Sequence, residues 1–161
     1  MDGNVLTQLV EPVLITYNRS AKLFETLSAF YSAGWGDKIF HVLDNASTDE
    51  TMEVVSSFQR DWPKLHYHRN TWNIGGNANI MRAVEIAQSE YHWVIGDDDA
   101  WLFAGAAELN VVLAEKRADI IRLGWLVDDA SRGKYILAND LASSEKLFFS
   151  STSMISATII R

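Results

Sequence analysis

Three consecutive carboxylates, Asp97-Asp98-Asp99, follow directly on the apolar run Tyr91–Ile95 and Gly96. Adjacent acids repel one another, so such a triplet persists most easily where a cation or hydrogen-bond donors favour the charged forms. Mg2+ and Mn2+ take carboxylate and phosphate oxygens, and Mg2+ typically bridges one or two carboxylates to the phosphates of a ligand. A helix cap with two solvated neighbours accounts for the same residues, and the triplet alone divides evenly between the two readings. Three further polar segments have the composition to meet a phosphorylated ligand: Thr16-Tyr17-Asn18-Arg19, Asp44-Asn45 and Asn73-Ile74-Gly75-Gly76-Asn77. Gly75-Gly76 opens a helical pattern and can present free N–H groups, although paired glycines commonly mark a plain turn. Arg19 and Arg82 can pair with phosphate, but a solvated arginine on a helix face is the commoner fate. Asp44 suits a hydrogen bond from a base or ribose, or the start of a turn. His66 and His68 alternate with Leu65 and Tyr67, which predicts outward-facing imidazoles holding no metal.

Each polar segment follows a short apolar run, and the runs alternate with amphipathic stretches of helical length. That pattern predicts βαβ units around a mainly parallel sheet, whose ligands settle at the carboxyl ends of the strands. Strands are expected at Val10–Thr16, Ile39–Leu43, Leu65–Arg69, Tyr91–Ile95 and about 120–123. Asn18 is expected to cap a helix carrying Leu23, Leu27, Phe30 and Tyr31 on one face, with Gly34 at its end. Ser47-Thr48-Asp49-Glu50 has the spacing of a capping box for a helix through about Phe58. Ile80, Ala83, Val84 and Ala87 predict a third helix packed on the sheet, and a fourth is expected over about 104–116. The six tryptophans are expected mostly in the core or a cleft wall. Beyond about residue 123 the pattern weakens through Asp128-Asp129, Tyr135–Leu137 and Ser143–Lys146. Met154–Arg161 reads as a strand, either a sheet edge or cut from its continuation; we expect one domain over 1–161, truncated on its C-terminal side.

At 161 residues and 48% hydrophobic, the chain can bury a sizeable core. A net charge of −7, from 14 basic and 21 acidic residues, leaves no basic footprint for a nucleic acid. A small phosphorylated ligand fits that charge if a metal or a few placed cations offset local repulsion. There is no cysteine, hence no thiolate metal site, and no run approaches the ~18 apolar residues of a spanning helix. A soluble, cytoplasmic chain is the expectation.

Together the loops resemble the inverting glycosyltransferase family 2, which has the GT-A fold. The resemblance rests on Val13-Leu14-Ile15-Thr16-Tyr17-Asn18-Arg19, Asp44-Asn45-Ala46-Ser47-Thr48-Asp49-Glu50-Thr51, Asn73-Ile74-Gly75-Gly76 with Asn79, and Gly96-Asp97-Asp98-Asp99, in the family's order over roughly the first 115 residues. It implies a Rossmann-like three-layer α/β/α sandwich binding a nucleoside diphosphate-sugar donor. Thr16 and Asp44 would lie near the base and Asp97 near the ribose, with Tyr17, Asn18, Arg19, Asn73, Gly75, Gly76 and Asn79 lining the pocket. Asp98 or Asp99 would hold the Mg2+ or Mn2+ on the diphosphate. The family's usual Asp-x-Asp-Asp is altered here, because Gly96 stands in the first position and shifts the triplet. The implied reaction is inverting transfer to a saccharide or lipid-linked acceptor in bacterial polysaccharide synthesis. Its setting would be the inner membrane face, by peripheral association if any, in an oligomer or a monomer. The general base is expected beyond residue 161; Asp140 and Glu145 have no spacing argument. The competing readings are a nucleotide-sugar-binding module without catalysis and another metal-dependent nucleotidyl or phosphoryl enzyme. Neither a Walker run nor a Gly-x-Gly-x-x-Gly fingerprint supports the latter.

Overall fold

The computed structural model describes residues 6–97, 106–115, 120–122 and 158–161. After a short α1 (Leu6–Leu9), the chain forms β1 (Val10–Thr16), α2 (Ser20–Phe30), β2 (Phe40–Asp44), α3 (Thr51–Gln59), β3 (Leu65–Arg69), α4 (Gly76–Ile86) and β4 (Tyr91–Gly96). The remaining described elements are α5 (Ala106–Glu115), β5 (Ile120–Arg122) and β6 (Thr158–Ile160). The sheet runs β3-β2-β1-β4-β6-β5. The first four strands are mutually parallel, and β6 lies antiparallel between β4 and β5. The chain winds outward from β1 to β3 and then returns to the opposite side of β1 for β4. The order therefore reverses between β1 and β4, and a crevice at their carboxyl ends is where such sheets take ligands.

The two-residue period of the strands sorts their side chains onto two faces. On one face, Val10 and Leu14 of β1, Phe40 and Val42 of β2, and Tyr91, Trp93 and Ile95 of β4 meet Leu23, Leu27 and Phe30 of α2, Val55 of α3 and Leu113 of α5. The Phe30 ring lies 4.9 Å from Phe40 and 5.8 Å from both Trp35 and Trp93. On the other face Val13, Leu43 and Val94 pack against Ala83 and Ala87 of α4. Helices thus cover both faces, giving the three-layer sandwich. Pro12 fits a central strand because its missing N–H is not needed. The Glu11 N–H points to the β4 side, where it donates to Ser89 Oγ at 3.0 Å. Successive N–H groups alternate, so position 12 faces β2, with which pairing begins only at Val13.

Several local expectations are corrected. Asn18 does not cap α2: it adopts φ 52 outside the helix, and Arg19 takes the cap position without a side-chain bond. The Ser47–Glu50 capping box does not form either; α3 begins only at Thr51, and Asp49 Oδ1 accepts from the Thr51 N–H and hydroxyl. Past Phe30 the helix widens into a π turn, Tyr31–Trp35, closed at Gly34 with φ 93. That turn rotates Tyr31 outward, off the face that Phe30 buries. On α4 the buried stripe is Asn79, Ala83 and Ala87, while Val84 is exposed. Trp35, Trp62 and Trp93 are core, whereas Trp72 is 68% exposed; Trp101 and Trp125 lie outside the described residues. The terminal strand is interior and not a sheet edge. Asp98, Asp99, Asp128-Asp129, Tyr135–Leu137, Asp140 and Ser143–Lys146 also lie outside the described residues. Among the described residues no helix is long and apolar enough to cross a membrane.

Candidate functional site

The α2-side face of β1, β2 and β4 ends in Thr16, Asp44 and Asp97. Across the switch point, Thr16 Oγ1 donates to Asp97 Oδ2 at 2.6 Å and Arg19 Nη1 donates to Oδ1 at 3.2 Å. Thr26 of α2 donates to the Asp97 carbonyl at 3.4 Å. Asp97 is only 6% exposed, whereas the Arg19 side chain is half exposed. These donors hold the carboxylate in a fixed orientation. Both oxygens of Asp97 are thus engaged at the crevice. Among the described residues no group of three or more acidic or imidazole side chains has the placement to hold a metal.

Asp44 is 1% exposed and satisfied from three directions. Ser47 N–H donates to Oδ1 at 2.8 Å, while Tyr67 hydroxyl and Arg69 Nε donate to Oδ2 at 2.6 and 3.1 Å. Burial and the bond to Asp44 push the Tyr67 phenol well above its ordinary range, so it remains a donor. Arg69 also donates to the Ser47 carbonyl at 2.7 Å. These bonds clasp Ala46, whose φ of 65 is left-handed and costs a residue with a Cβ about 1–2 kcal/mol.

The β1 and β2 loops are laced together. Asn18 N–H donates to Ser47 Oγ at 2.9 Å, and Thr48 N–H donates to Asn18 Oδ1 at 2.7 Å. Asp49 Oδ2 accepts the first N–H of α2, Ser20, at 2.8 Å. Burial pushes Asp49 up, but the donors Thr51 and Ser20 outweigh it and hold the carboxyl below the usual range. One side chain thus caps two helices from different loops.

Downstream of β3, Asn73 Oδ1 accepts from the Gly75 N–H at 2.8 Å and from Asn45 Nδ2 at 2.9 Å. Asn45 Oδ1 accepts from the Ile74 N–H and from Asn70 Nδ2. Gly75 takes φ 83, a conformation suited to glycine, before the first turn of α4. Of the residues expected here, Tyr17, Asn18, Arg19, Asn73, Gly75 and Gly76 are exposed on the loops; Asn79 is buried beneath them.

A family model described as glycosyl transferase family 2 matches residues 13–155. The chain belongs to this family. Abequosyltransferase RfbV of Salmonella typhimurium is 31% identical over 115 residues, 70% of this chain and 34% of that protein. GalNAc(5)-diNAcBac-PP-undecaprenol beta-1,3-glucosyltransferase of Campylobacter jejuni is 28% identical over 95 residues, 58% of this chain and 30% of that protein. Among solved structures, TarS of S. aureus superposes with TM-score 0.69 at 20% identity, covering 94% of this chain and 46% of that one. The mannosyltransferase PcManGT of Pyrobaculum calidifontis, solved with GDP-Man and Mn2+, gives TM-score 0.60 at 21% identity, covering 72% and 35%. These likenesses establish the GT-A fold expected from the sequence. This family 2 chain spans about a third of the length of the curated relatives it matches.

Sequence reasoning missed the supporting residues Tyr67, Arg69 and Asn70, and read Ser47 and Asp49 as parts of a local cap. A signal for the first two was present: Leu65, Tyr67 and Arg69 alternate on one face of β3, in register beside Val42 and Asp44.

Proposed function

We propose that this family 2 chain binds a nucleoside diphosphate-sugar at the switch point between β1 and β4 and supplies the donor side of an inverting glycosyl transfer. The observation that carries the reading is the anchoring of Asp97 by Thr16 and Arg19 at that crevice, immediately before Asp98 and Asp99. In this reading Thr16 and Asp44 stand at the base end, with Asp44 oriented by Ser47, Tyr67 and Arg69, and Asp97 faces the ribose. Tyr17, Asn18, Arg19 and the Asn73–Gly76 loop line the pocket, with Asn79 beneath it. The half-exposed guanidinium of Arg19, paired with Asp97, is the cation of the β1 loop in this reading.

Asp98 and Asp99 have the oxygen donors that suit Mg2+ or Mn2+ and would be its ligands. Bound there, the ion would offset charge on the departing diphosphate. The acceptor hydroxyl forms its bond to the anomeric carbon as the bond to the diphosphate breaks, and its proton passes to a carboxylate. A saccharide or lipid-linked acceptor accords with the names of the bacterial relatives, and bacterial polysaccharide synthesis at the cytoplasmic membrane face is the setting of this reading.

Thermal denaturation with UDP-, GDP-, CDP- and dTDP-sugars, with and without Mn2+, tests the reading. At about 100 times Kd the matching donor adds about 2.7 kcal/mol, which raises the midpoint by roughly 5–10 °C. Asp98→Ala and Asp99→Ala are expected to remove the Mn2+-dependent part of that rise with the ligand-free midpoint preserved. Silence toward all four donors would sink the donor site; an unchanged Mn2+ response in both variants would sink the metal assignment. Donor binding without transfer would identify a binding module.

A further inference from the structure

Four asparagines join the β2 and β3 loops to α4 in one directed ladder. Backbone N–H groups can only donate, so the bonds from Gly75 and Ile74 fix which atom is oxygen in Asn73 and Asn45. With Asn73 Oδ1 and Asn45 Oδ1 set, Asn45 must donate to Asn73, as it does at 2.9 Å. Asn70 must likewise donate to Asn45 Oδ1, at 2.8 Å. Its second N–H goes to Asn79 Oδ1, also at 2.8 Å. Asn45, Asn70 and Asn79 are all buried, and the Asn70 N–H donates to the Asp44 carbonyl at 2.9 Å.

The cost of this arrangement identifies its purpose. Among the described residues Asn70 Oδ1 is buried without a hydrogen-bond partner, the expensive condition for a polar atom. An apolar residue here would remove that orphan but strip Asn79 Oδ1 of its Asn70 donor and leave Asn45 Oδ1 with the Ile74 N–H, so the position calls for donors and not for apolar packing. What only asparagine offers is two donors directed at two fixed acceptors. Those acceptors belong to the β2 loop and to the first turn of α4, and between them hangs the Trp72–Gly75 segment. Gly75, with φ 83, cannot be held by its own side chain.

We infer that Asn70 is a positioning residue: by donating to Asn45 and Asn79 it sets the Asn73–Gly76 loop against the β2 loop in the geometry that receives the donor. The inference rests on the donor-binding reading, because it is for that ligand that the loop is held. Asparagine is required for its hydrogen direction, not its shape. Asn70→Asp keeps the shape but sets a carboxylate oxygen against two other oxygens, whereas Asn73→Ala removes the acceptor at the exposed end of the ladder.

The test pairs amide hydrogen exchange with donor titration on wild type, Asn70→Asp and Asn73→Ala. Ile74 and Gly75 amides are expected to exchange at least tenfold faster in both variants, with exchange in β1 and β2 unchanged. Donor affinity is expected to fall roughly tenfold, in keeping with the loss of one or two buried hydrogen bonds. If Asn70→Asp does not fold, the uncharged Asn70→Ser, which cannot reach both acceptors, carries the same reading; Asn73→Ala serves as the comparison in which the Gly75 N–H loses its acceptor directly. Unchanged exchange at Ile74 and Gly75 overturns the ladder as the holder of the loop. Faster exchange with unaltered donor affinity overturns the positioning role. A wild-type chain that binds no donor removes the role through the donor reading itself, while the exchange data still judge the ladder.

Discussion

The two faces of the sheet are built on different principles. Toward α2 and α3 the core is large and aromatic, with Phe30, Trp35, Phe40, Trp62 and Trp93 meeting edge to face or tilted. Toward α4 it is small, and the same face carries Glu11, His41, His66, His68 and His92 at the positions between apolar residues. His41 Nδ1 lies 3.0 Å from His68 Nε2, its ring stacks on His66 at 5.2 Å, and its Nε2 lies 3.5 Å from Glu11 Oε2. The site carboxylates Asp44 and Asp97 sit at the end of the aromatic face. The large apolar contacts therefore lie beneath the carboxylates that must stay fixed, and the imidazoles are kept on the other side.

The largest effect should come from truncating the aromatic face. Phe30 is fully buried and, among the described residues, touches the rings of Trp35, Phe40 and Trp93, so Phe30→Ala is expected to cost about 3–5 kcal/mol, read by urea denaturation. A loss near 1 kcal/mol would mean that the two faces contribute alike and would end the comparison.

The α4-side face should reveal itself through pH. Burial, then the neighbouring His68 and His66, bring His41 down to about 4, with Glu11 opposing; burial, His66 and Arg82 also lower His68. Because the folded value lies below the ordinary 6.5, the unfolded chain takes up the proton first. Stability is thus complete above pH 6.5 and falls as pH drops toward 4. Solvent screening reduces the slope to roughly 1 kcal/mol per pH unit, or about 2 kcal/mol across the window. His41→Leu should flatten that slope, measured as denaturation midpoints between pH 7 and 4. An equal slope in the variant would show that the imidazole cluster is not its source.

β1, β2 and β4 were legible as mainly apolar runs bounded by polar residues and β3 by the alternation of Leu65 and Tyr67 with histidines, and the sheet-end site was legible because each polar segment follows a strand. Thr16, Arg19 and Asp97, 78 to 81 residues apart, do meet. What misled was the assumption that capping residues act locally. Asn18 and Ser47 bond each other's loops across 29 and 30 residues, and Asp49 reaches Ser20 across 29. A one-dimensional spacing rule cannot see a partner supplied by a parallel crossover. The helical stripe of α4 held at Ala83 and Ala87 but not at Val84, for a related reason: the ladder draws Asn79 inward, and the buried row becomes 79, 83 and 87. Tyr67 and Arg69 were readable only once the β2–β3 register placed Arg69 beside Asp44.

That inward rotation supplies the finest test of the contrast. On the aromatic face removing volume should do the damage; on the α4 face adding it should. Ala83 is fully buried where α4 lies against Val13, Leu43 and Val94, and its methyl side chain sets the separation of helix and sheet. Ala83→Val adds two methyl groups to a filled interface and is expected to cost about 1 kcal/mol, the low end for overpacking. Any movement of α4 is transmitted to its first turn, so Ile74 and Gly75 amides should exchange faster while those of β1 do not. Val84→Ala, one residue along but exposed, should alter neither reading. If Ala83→Val leaves both unchanged, the α4 face has spare room, and close helix approach is not what holds the loop above it.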